Sequence, residues 1–185
     1  MYYYLSSYIS TIVSNYIHYI SYSSICIVHF SSRHILSYFY FITKHFNLQL
    51  KVFIDLCTVD LLVYKLRFYN IYNALSIIQN MRMFSKTYIS KILKIESVGS
   101  IYKNSIWYER ESWELFGIVY LYHNDLRRLL TDYSFKGFPL RKDFPIAGFS
   151  ELRYCYDKKR IIYGTIRLIQ AYRSFKTISP WGYYY

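Results

Sequence analysis

The sequence predicts an α+β fold in which a mostly antiparallel sheet carries helices on one face. Apolar residues recur at intervals of three and four over residues 33–46, as in an amphipathic helix. Over residues 48–56 they alternate with polar residues, as in a half-buried strand. Further strand-like segments follow after short links, and short links favour antiparallel pairing.

The first 32 residues contain no Asp, Glu, Lys or Arg. They are rich in Tyr and Ser and include Asn15, His18 and His29, so we expect neither a transmembrane span nor a signal or transit peptide. The apolar spacing predicts an amphipathic helix over residues 5–19, within an N-terminal helical segment of residues 1–22.

A compact α+β domain is predicted over residues 23–164. Residues 25–30 form an apolar run of strand length, and Ser31 or Ser32 can cap the helix over 33–46. Strands are predicted at 48–56, 64–73 and 82–93, with Asn80 between the last two. Gly99 and Ser100 mark a break before the central part of the chain.

The central part begins with a predicted helix at 106–116, with Gly117 as its C-terminal cap and Arg110 and Glu114 paired along it. Asp125 is expected to cap a short second helix at 126–130. An extended, ordered loop with two prolines follows over 137–145. Residues 151–156 and 160–163 are then predicted to form a hairpin, and residues 165–185 a docking tail.

The spacing of Cys, His and Gly residues argues against several kinds of metal and phosphate site. Cys26, Cys57 and Cys155 are far apart, and no His lies at ligand spacing, so no zinc or iron–sulfur site is expected. No phosphate-binding glycine motif is present. The net charge of +12 with many aromatic residues leaves a basic RNA-binding protein as an alternative, although the charge is spread as single residues and short pairs.

Residues 107–145 differ from the rest because they hold six acidic and six basic residues and are electroneutral. Glu111 and Glu114 on one helix, near His123, could form an acid/base pair. However, every acid lies within four positions of an Arg or Lys, so ordinary ion pairs are favoured over perturbed carboxylic acids. Two interpretations remain open: a partner interface, or an intramolecular network that holds the loop to its own domain.

The predicted partner interface combines charged, aromatic and proline side chains on ordered elements. Its residues are Glu109, Arg110, Glu111, Trp113, Glu114, Arg127, Arg128, Pro139, Arg141, Lys142, Asp143, Phe144, Pro145 and Trp181.

Three motifs follow one another in this part of the chain, namely ERESWELFG at 109–117, DLRRLLTDY at 125–133 and PLRKDFP at 139–145. In sequence and order they resemble the motifs of the 30 kDa subunit family of NADH-ubiquinone oxidoreductase (complex I), also known as subunit 9, whose bacterial members belong to NADH-quinone oxidoreductase. Residues 55–60, 67–68, 75–76, 151–154 and Pro180–Trp181 follow the same order. Phe138 and Asn124 depart from the His and Pro that are common in the family.

The resemblance implies an α+β core subunit of the peripheral arm, in the quinone-reducing module of mitochondrial complex I, without catalytic residues. Its partners would be the quinone-pocket subunit and the subunit that holds the terminal iron–sulfur cluster. It would bind no cofactor itself, since the FMN, iron–sulfur clusters and ubiquinone of the complex belong to other subunits. It would lie peripherally on the matrix side of the mitochondrial inner membrane, be encoded in the organelle, and bind no nucleic acid.

Overall fold

The structure is a computed structural model that describes residues 17–22 (backbone only), 26–62, 64–92, 94–173 and 175. The chain divides into two compact units, Met1–Phe144 and Pro145–Tyr185. The domain boundaries at 22/23 and 164/165 stay a prediction.

A five-stranded sheet forms the centre of the first unit. Its strands are β1 (Ile17–Tyr22), β2 (Cys26–Phe30), β3 (Val52–Asp60), β4 (Phe68–Ser76) and β5 (Met81–Ile89). Their order in the sheet is β1-β2-β5-β4-β3. Neighbouring strands are antiparallel except β2 and β5, which are parallel, so the sheet is mixed.

Two helices cover the same face of this sheet, which confirms the predicted α+β class. Helix α1 (Ile35–Lys44) follows a 3-10 turn at Ser32–His34 that Ser31 caps. Its Phe39 packs edge-on against Tyr72 of β4, with ring centroids 5.0 Å apart. Helix α2 (Ser105–Phe116) lies on β3, where Ser112 hydrogen-bonds Thr58 at 2.7 Å. Tyr72 and its inward-facing neighbours on β4 are buried, so the core lies between this face and the helices.

The N-terminal helix prediction is wrong where the structure describes the chain. Residues 17–19 begin strand β1, which pairs with β2 from Ile17 opposite Phe30 to Tyr22 opposite Cys26. Ile and Tyr are strong strand formers, and a ladder partner outweighed the helical spacing of the apolar residues. Residues 1–16 lie outside the described residues.

The strand predictions at 48–56, 64–73 and 82–93 identified β3, β4 and β5 but misplaced their ends. Leu48 and Leu50 are buried, yet β3 begins only at Val52, because Gln49 has a positive φ of 44° in a turn. The parallel pairing of β6 (Ile95–Glu96) with β7 (Tyr120–Leu121) was not predicted, since two residues carry no readable alternation.

The second unit contains the predicted hairpin, formed by β8 (Ser150–Cys155) and β9 (Arg160–Thr165). Leu152 stands opposite Tyr163, and Tyr154 opposite Ile161, so one face carries four large apolar side chains. All four are exposed. The tail residue Trp181 lies outside the described residues. Within the part of the chain that the structure describes, no helix has the length and apolar character that crossing a bilayer requires.

Candidate partner interface around helix α2

Glu114 on helix α2 is bound by backbone amides of the following segment. Its carboxylate is 1% exposed and accepts hydrogen bonds from the N–H groups of Leu129 (2.5 Å), Leu130 (2.9 Å) and Thr131. Burial alone would raise the pKa of Glu114, but the hydrogen bonds from Thr131, Leu130 and Leu129 outweigh it and lower the pKa to about 2. Glu114 is therefore an anion that organises the backbone beside it.

Arg110 binds the carbonyl oxygens of the same segment whose N–H groups bind Glu114. Its guanidinium donates to the carbonyl oxygens of Arg127 and Arg128, both at 3.0 Å, and stacks on Trp107 at 4.9 Å. Thus Arg110 and Glu114 do not pair with each other, contrary to the prediction, because each is already engaged by the backbone.

The helix predicted at residues 126–130 is also wrong. The backbone N–H groups of this segment donate hydrogen bonds to the Glu114 carboxylate, and a backbone carbonyl accepts one from Arg110. These backbone groups are therefore not available for the hydrogen bonds of a helical turn. Leu130 is 65% exposed rather than turned inward.

Glu109 lies deeper, between α2 and β6. It is fully buried and accepts hydrogen bonds from the Ser97 hydroxyl at 2.5 Å and the Val98 N–H at 2.8 Å. The His123 ring nitrogen Nε2 lies 3.8 Å from its carboxylate. Burial raises the pKa of Glu109 to about 7, against the opposing hydrogen bonds. Glu109 is therefore a perturbed acid, not the ordinary ion pair that was predicted.

The loop at 137–144 is fastened to the sheet by a buried fork. Arg67 donates two hydrogen bonds to Asp60, both at 2.7 Å, and a third to Asp143 at 2.8 Å. The Lys142 N–H donates to Asp60 at 2.9 Å. Hydrogen bonds from Arg67 lower the pKa of both carboxyls. The loop is held by charge-assisted bonds of the strong, bidentate kind.

Arg141 clamps the same loop to the end of helix α2. Its guanidinium donates to the Phe116 carbonyl at 2.6 Å, where the helix C-terminus favours a cation. It also stacks on the Phe138 ring at 4.2 Å and on Phe68 at 5.3 Å. Phe138 thus contributes an aromatic face to this contact. Gly117, the predicted C-terminal cap, has φ 79° and leaves room for both side chains.

The family of this chain can be identified from its sequence. Residues 28–150 match the family described as respiratory-chain NADH dehydrogenase, 30 kDa subunit. The chain belongs to this family. The match includes the first unit from β2 onward, and therefore the whole network around helix α2.

Several members of this family are similar over most of their length. Subunit 9 of NADH-ubiquinone oxidoreductase from Reclinomonas americana is 40% identical over 154 residues, covering 83% of this chain and 76% of the relative. The protein of the same name from Prototheca wickerhamii is 42% identical, covering 78% of this chain and 75% of that protein. NADH dehydrogenase [ubiquinone] iron-sulfur protein 3 from Solanum tuberosum is 43% identical, covering 76% and 74% respectively.

Two solved structures share the fold. One is a trypsin-resistant fragment of Nqo5, with a TM-score of 0.57 at 20% identity, covering 68% of this chain and all of that chain. The other belongs to a membrane-bound sulfane sulfur reductase, an archaeal respiratory membrane complex, with a TM-score of 0.64 at 18% identity, covering 76% and 85%. At these identities the likeness concerns the fold.

Within this 30 kDa family member, the predicted interface residues fall into distinct groups. Glu109, Arg110, Glu114, Arg128, Arg141 and Asp143 bind other groups of the first unit. Trp113, Pro139 and Phe144 are half-buried, while Glu111, Arg127, Lys142 and Pro145 are exposed. Trp181 lies outside the described residues.

Sequence reasoning missed the partners of the buried charges, namely Arg67, Asp60, Ser97 and His123. The sequence carried no signal for the burial of Glu109. Ser105, Glu109 and Ser112 repeat at i, i+4 and i+7 and are all buried, so they form the stripe of α2 that faces the fold. A polar stripe normally marks the solvent side of a helix.

The structure does not bring together the residues that the catalytic alternative requires. Glu111 is exposed while Glu114 is buried under backbone donors, and a pKa of about 2 makes Glu114 a weak base. His123 lies beside Glu109 instead. Among the described residues, no group of three or more His, Cys, Asp or Glu side chains is arranged to hold a metal ion.

Proposed function

We propose that this chain is a non-catalytic core subunit of the peripheral arm, in the quinone-reducing module of mitochondrial complex I, and holds in register the subunits that carry electrons from NADH to ubiquinone. The observation that carries this proposal is the family match over residues 28–150, which contains both helices and the buried network. The names of the mitochondrial relatives support the same assignment. The comparisons give the RNA-binding alternative no support.

The inward orientation of the buried carboxylates supports a scaffold role. The carboxylates of Glu114, Glu109 and Asp60 are turned inward and bind backbone or side-chain donors of the same chain. Such bonds fix the geometry of the loops and leave these carboxylates unavailable for surface chemistry. A rigid loop can hold a neighbouring subunit within the narrow tolerances that electron transfer and quinone reduction require.

We propose that the interface proper is formed by the exposed members of the predicted set, Glu111, Arg127, Lys142 and Pro145, together with Trp113, Pro139 and Phe144 at their edges. The buried members support them from beneath. The apolar face of the hairpin β8–β9 adds a second contact region, because four exposed large apolar side chains on a small hairpin are typical of a docking surface.

The partners in this proposal are the quinone-pocket subunit and the subunit that holds the terminal iron–sulfur cluster. FMN, iron–sulfur clusters and ubiquinone are then held by other chains of the complex. The subunit lies peripherally, on the matrix side of the inner membrane. The relatives named as subunit 9 of NADH-ubiquinone oxidoreductase support membership of that complex.

The test is charge reversal at an exposed position of the loop. Lys142→Glu changes an exposed side chain whose only described role in the network is through its backbone N–H. We expect native gels of membranes to show less assembled complex and proportionally less NADH:quinone reductase activity, with unchanged thermal unfolding of the isolated chain. Lys103→Glu, at an exposed position before α2, is the matched control.

Normal assembly with full activity in Lys142→Glu would contradict the interface assignment. Steeply salt-dependent RNA binding by the isolated chain would instead favour the RNA-binding alternative.

A further inference from the structure

The outward face of the central sheet carries many apolar side chains. Side chains that alternate with the core residues point to the side of the sheet away from α1 and α2. More than half of them are aliphatic or aromatic, and all of these except Tyr88 are half-buried. They are Ile27 of β2, Phe84 and Tyr88 of β5, Tyr69, Ile71 and Leu75 of β4, and Val52 and Val59 of β3.

An antiparallel sheet with one solvated face usually carries polar residues there. Here both described helices of the first unit lie on the opposite face. The outward face, which we call the outer sheet face, therefore has the composition of a surface that receives another layer.

Cations lie within this apolar surface. Lys86 and Arg82 of β5 point outward, and Lys65 borders the face in the loop before β4. Among the described residues, none of the three forms a salt bridge. The acid on the same face, Asp55, accepts hydrogen bonds from the Leu56 N–H at 2.7 Å and the Cys57 thiol at 3.0 Å. The outer sheet face thus has a surplus of positive charge.

One corner of the face is concave. A cleft of about 630 Å³ lies where the loop before β4 meets β4 and β5. It is lined by the two lysines, by three tyrosines and by two leucines, and none of the described lining residues is acidic. Lys86 lies over the Tyr69 ring, 5.9 Å from its centroid. The cleft fits an apolar side chain flanked by a carboxylate.

Residues 1–32 and 158–185 contain no Asp or Glu. These segments therefore offer no acidic side chain to Lys86, Arg82 and Lys65, whereas an acidic partner molecule would complement them.

We propose that the outer sheet face binds an acidic amphipathic helix of another subunit of the complex, with its apolar side on the sheet and its carboxylates near Lys86, Arg82 and Lys65. The three long strands, nine residues each, cover roughly 14 by 30 Å at ordinary strand spacing and rise. A helix is about 10 Å wide and rises about 1.5 Å per residue, so one helix of roughly 20 residues matches this area. The choice of partner rests on the proposed function.

The test is zero-length carbodiimide coupling in the complex purified from membranes, followed by mass spectrometry. This reagent joins a lysine amine to a carboxylate only when the two are in contact. We expect Lys86, and Lys65 beside it, to be joined to Asp or Glu residues spaced three or four apart in one other chain. Lys86→Arg keeps the charge and should abolish the Lys86 product alone, while the complex still assembles.

Lys86→Glu should release that partner chain from the complex, and Lys103→Glu should not. If this subunit is present in the complex but Lys86 couples to no carboxylate of another chain, the proposal is overturned. It is equally overturned if anionic lipid vesicles or RNA, but no other subunit, protect Lys86 from amine-reactive labelling. If this subunit is absent from the complex, the proposed function itself fails, which is a distinct result.

Discussion

Glu109 and Glu114 lie on the same helix and are both buried, yet their surroundings shift their pKa values in opposite directions. Glu109 faces a buried region in which burial raises its pKa to about 7. Glu114 faces a row of backbone N–H donors that lower its pKa to about 2. The helix thus carries one carboxyl that is neutral in mild acid and one that stays ionised, and the two make opposite predictions for stability against pH.

Replacing Glu109 with Gln should remove a pH-dependent loss of stability. Burial raises the folded-state pKa of Glu109 above its ordinary value of 4.5, so the protonated carboxyl binds its proton more tightly in the folded chain. The contribution of this proton to the unfolding free energy is fully present below pH 4.5 and is lost as the pH rises through 7. The full loss corresponds to about 3 kcal/mol of unfolding free energy. We expect Glu109→Gln to unfold at higher denaturant concentration than wild type at pH 8, and to differ little at pH 4.5, in urea titrations.

Gln is a suitable probe because it can still accept from the Val98 N–H and can donate to Ser97 Oγ. Glu111→Gln, on the exposed side of the same helix, is the control and should leave the pH profile unchanged. A wild-type profile that is flat between pH 4.5 and 8 would contradict the raised pKa of Glu109.

Glu114→Gln should behave in the opposite sense. A folded-state pKa lowered to about 2 means that the stabilisation is present above pH 4.5 and is lost as the pH falls towards 2. The variant should therefore lose about 3 kcal/mol of unfolding free energy at pH 7. The difference from wild type should shrink below pH 4.5, as urea titrations over pH 2–7 would show. A difference that stays constant over this range would mean that packing, not charge, is responsible.

The two carboxyls also show what the sequence could and could not predict. Alternation and helical spacing identified α1, β3, β4, β5 and the hairpin, because the apolar residues of each recur with the period of its secondary structure, and Gly117 marked the end of α2. The stripe of α2 that faces the fold is polar, with Ser105, Glu109 and Ser112, and its role became visible only with its distant partners.

Long-range pairing explains the other differences. Arg67 meets Asp143 across 76 positions of the chain, and Tyr38 of α1 hydrogen-bonds Ser85 across 47. Local patterns carry no information on such contacts. For the same reason, the parallel pairing of β2 with β5 and the irregular path of residues 126–130 could not be predicted, since both depend on groups supplied by other elements.

The two acids that bind Arg67 should contribute unequally to the free energy of unfolding. Asp60 is 1% exposed and receives two bonds from Arg67, whereas Asp143 is 49% exposed and receives one. Asp60→Asn leaves a buried guanidinium without its main partner and should cost about 3–5 kcal/mol. Asp143→Asn should cost about 1 kcal/mol or less, because solvent screens that pair. Equal costs in thermal or chemical unfolding would contradict the fork as described.

Gly117 should tolerate no larger residue, since it combines two constraints at the end of α2. Its φ of 79° is unfavourable for a side chain, and an added Cβ would collide with Arg141 Nη2 and lie 2.7 Å from the Phe138 ring. Gly117→Ala should therefore lower the unfolding free energy by about 2–4 kcal/mol, from backbone strain and from crowding of the clamp. Calorimetry or urea titration measures this loss.

Gly164→Ala is the matched control for Gly117→Ala. Gly164 lies in β9, where an added Cβ would meet only Arg153 at 3.8 Å, so its replacement should be neutral or slightly stabilising. Adding Phe138→Ala to Gly117→Ala should restore part of the lost unfolding free energy. The restored part measures the crowding between the new Cβ and the clamp at the helix end. The part that is not restored measures the strain of the left-handed backbone. No restoration would mean that Arg141 and Phe138 do not pack against Gly117 in solution.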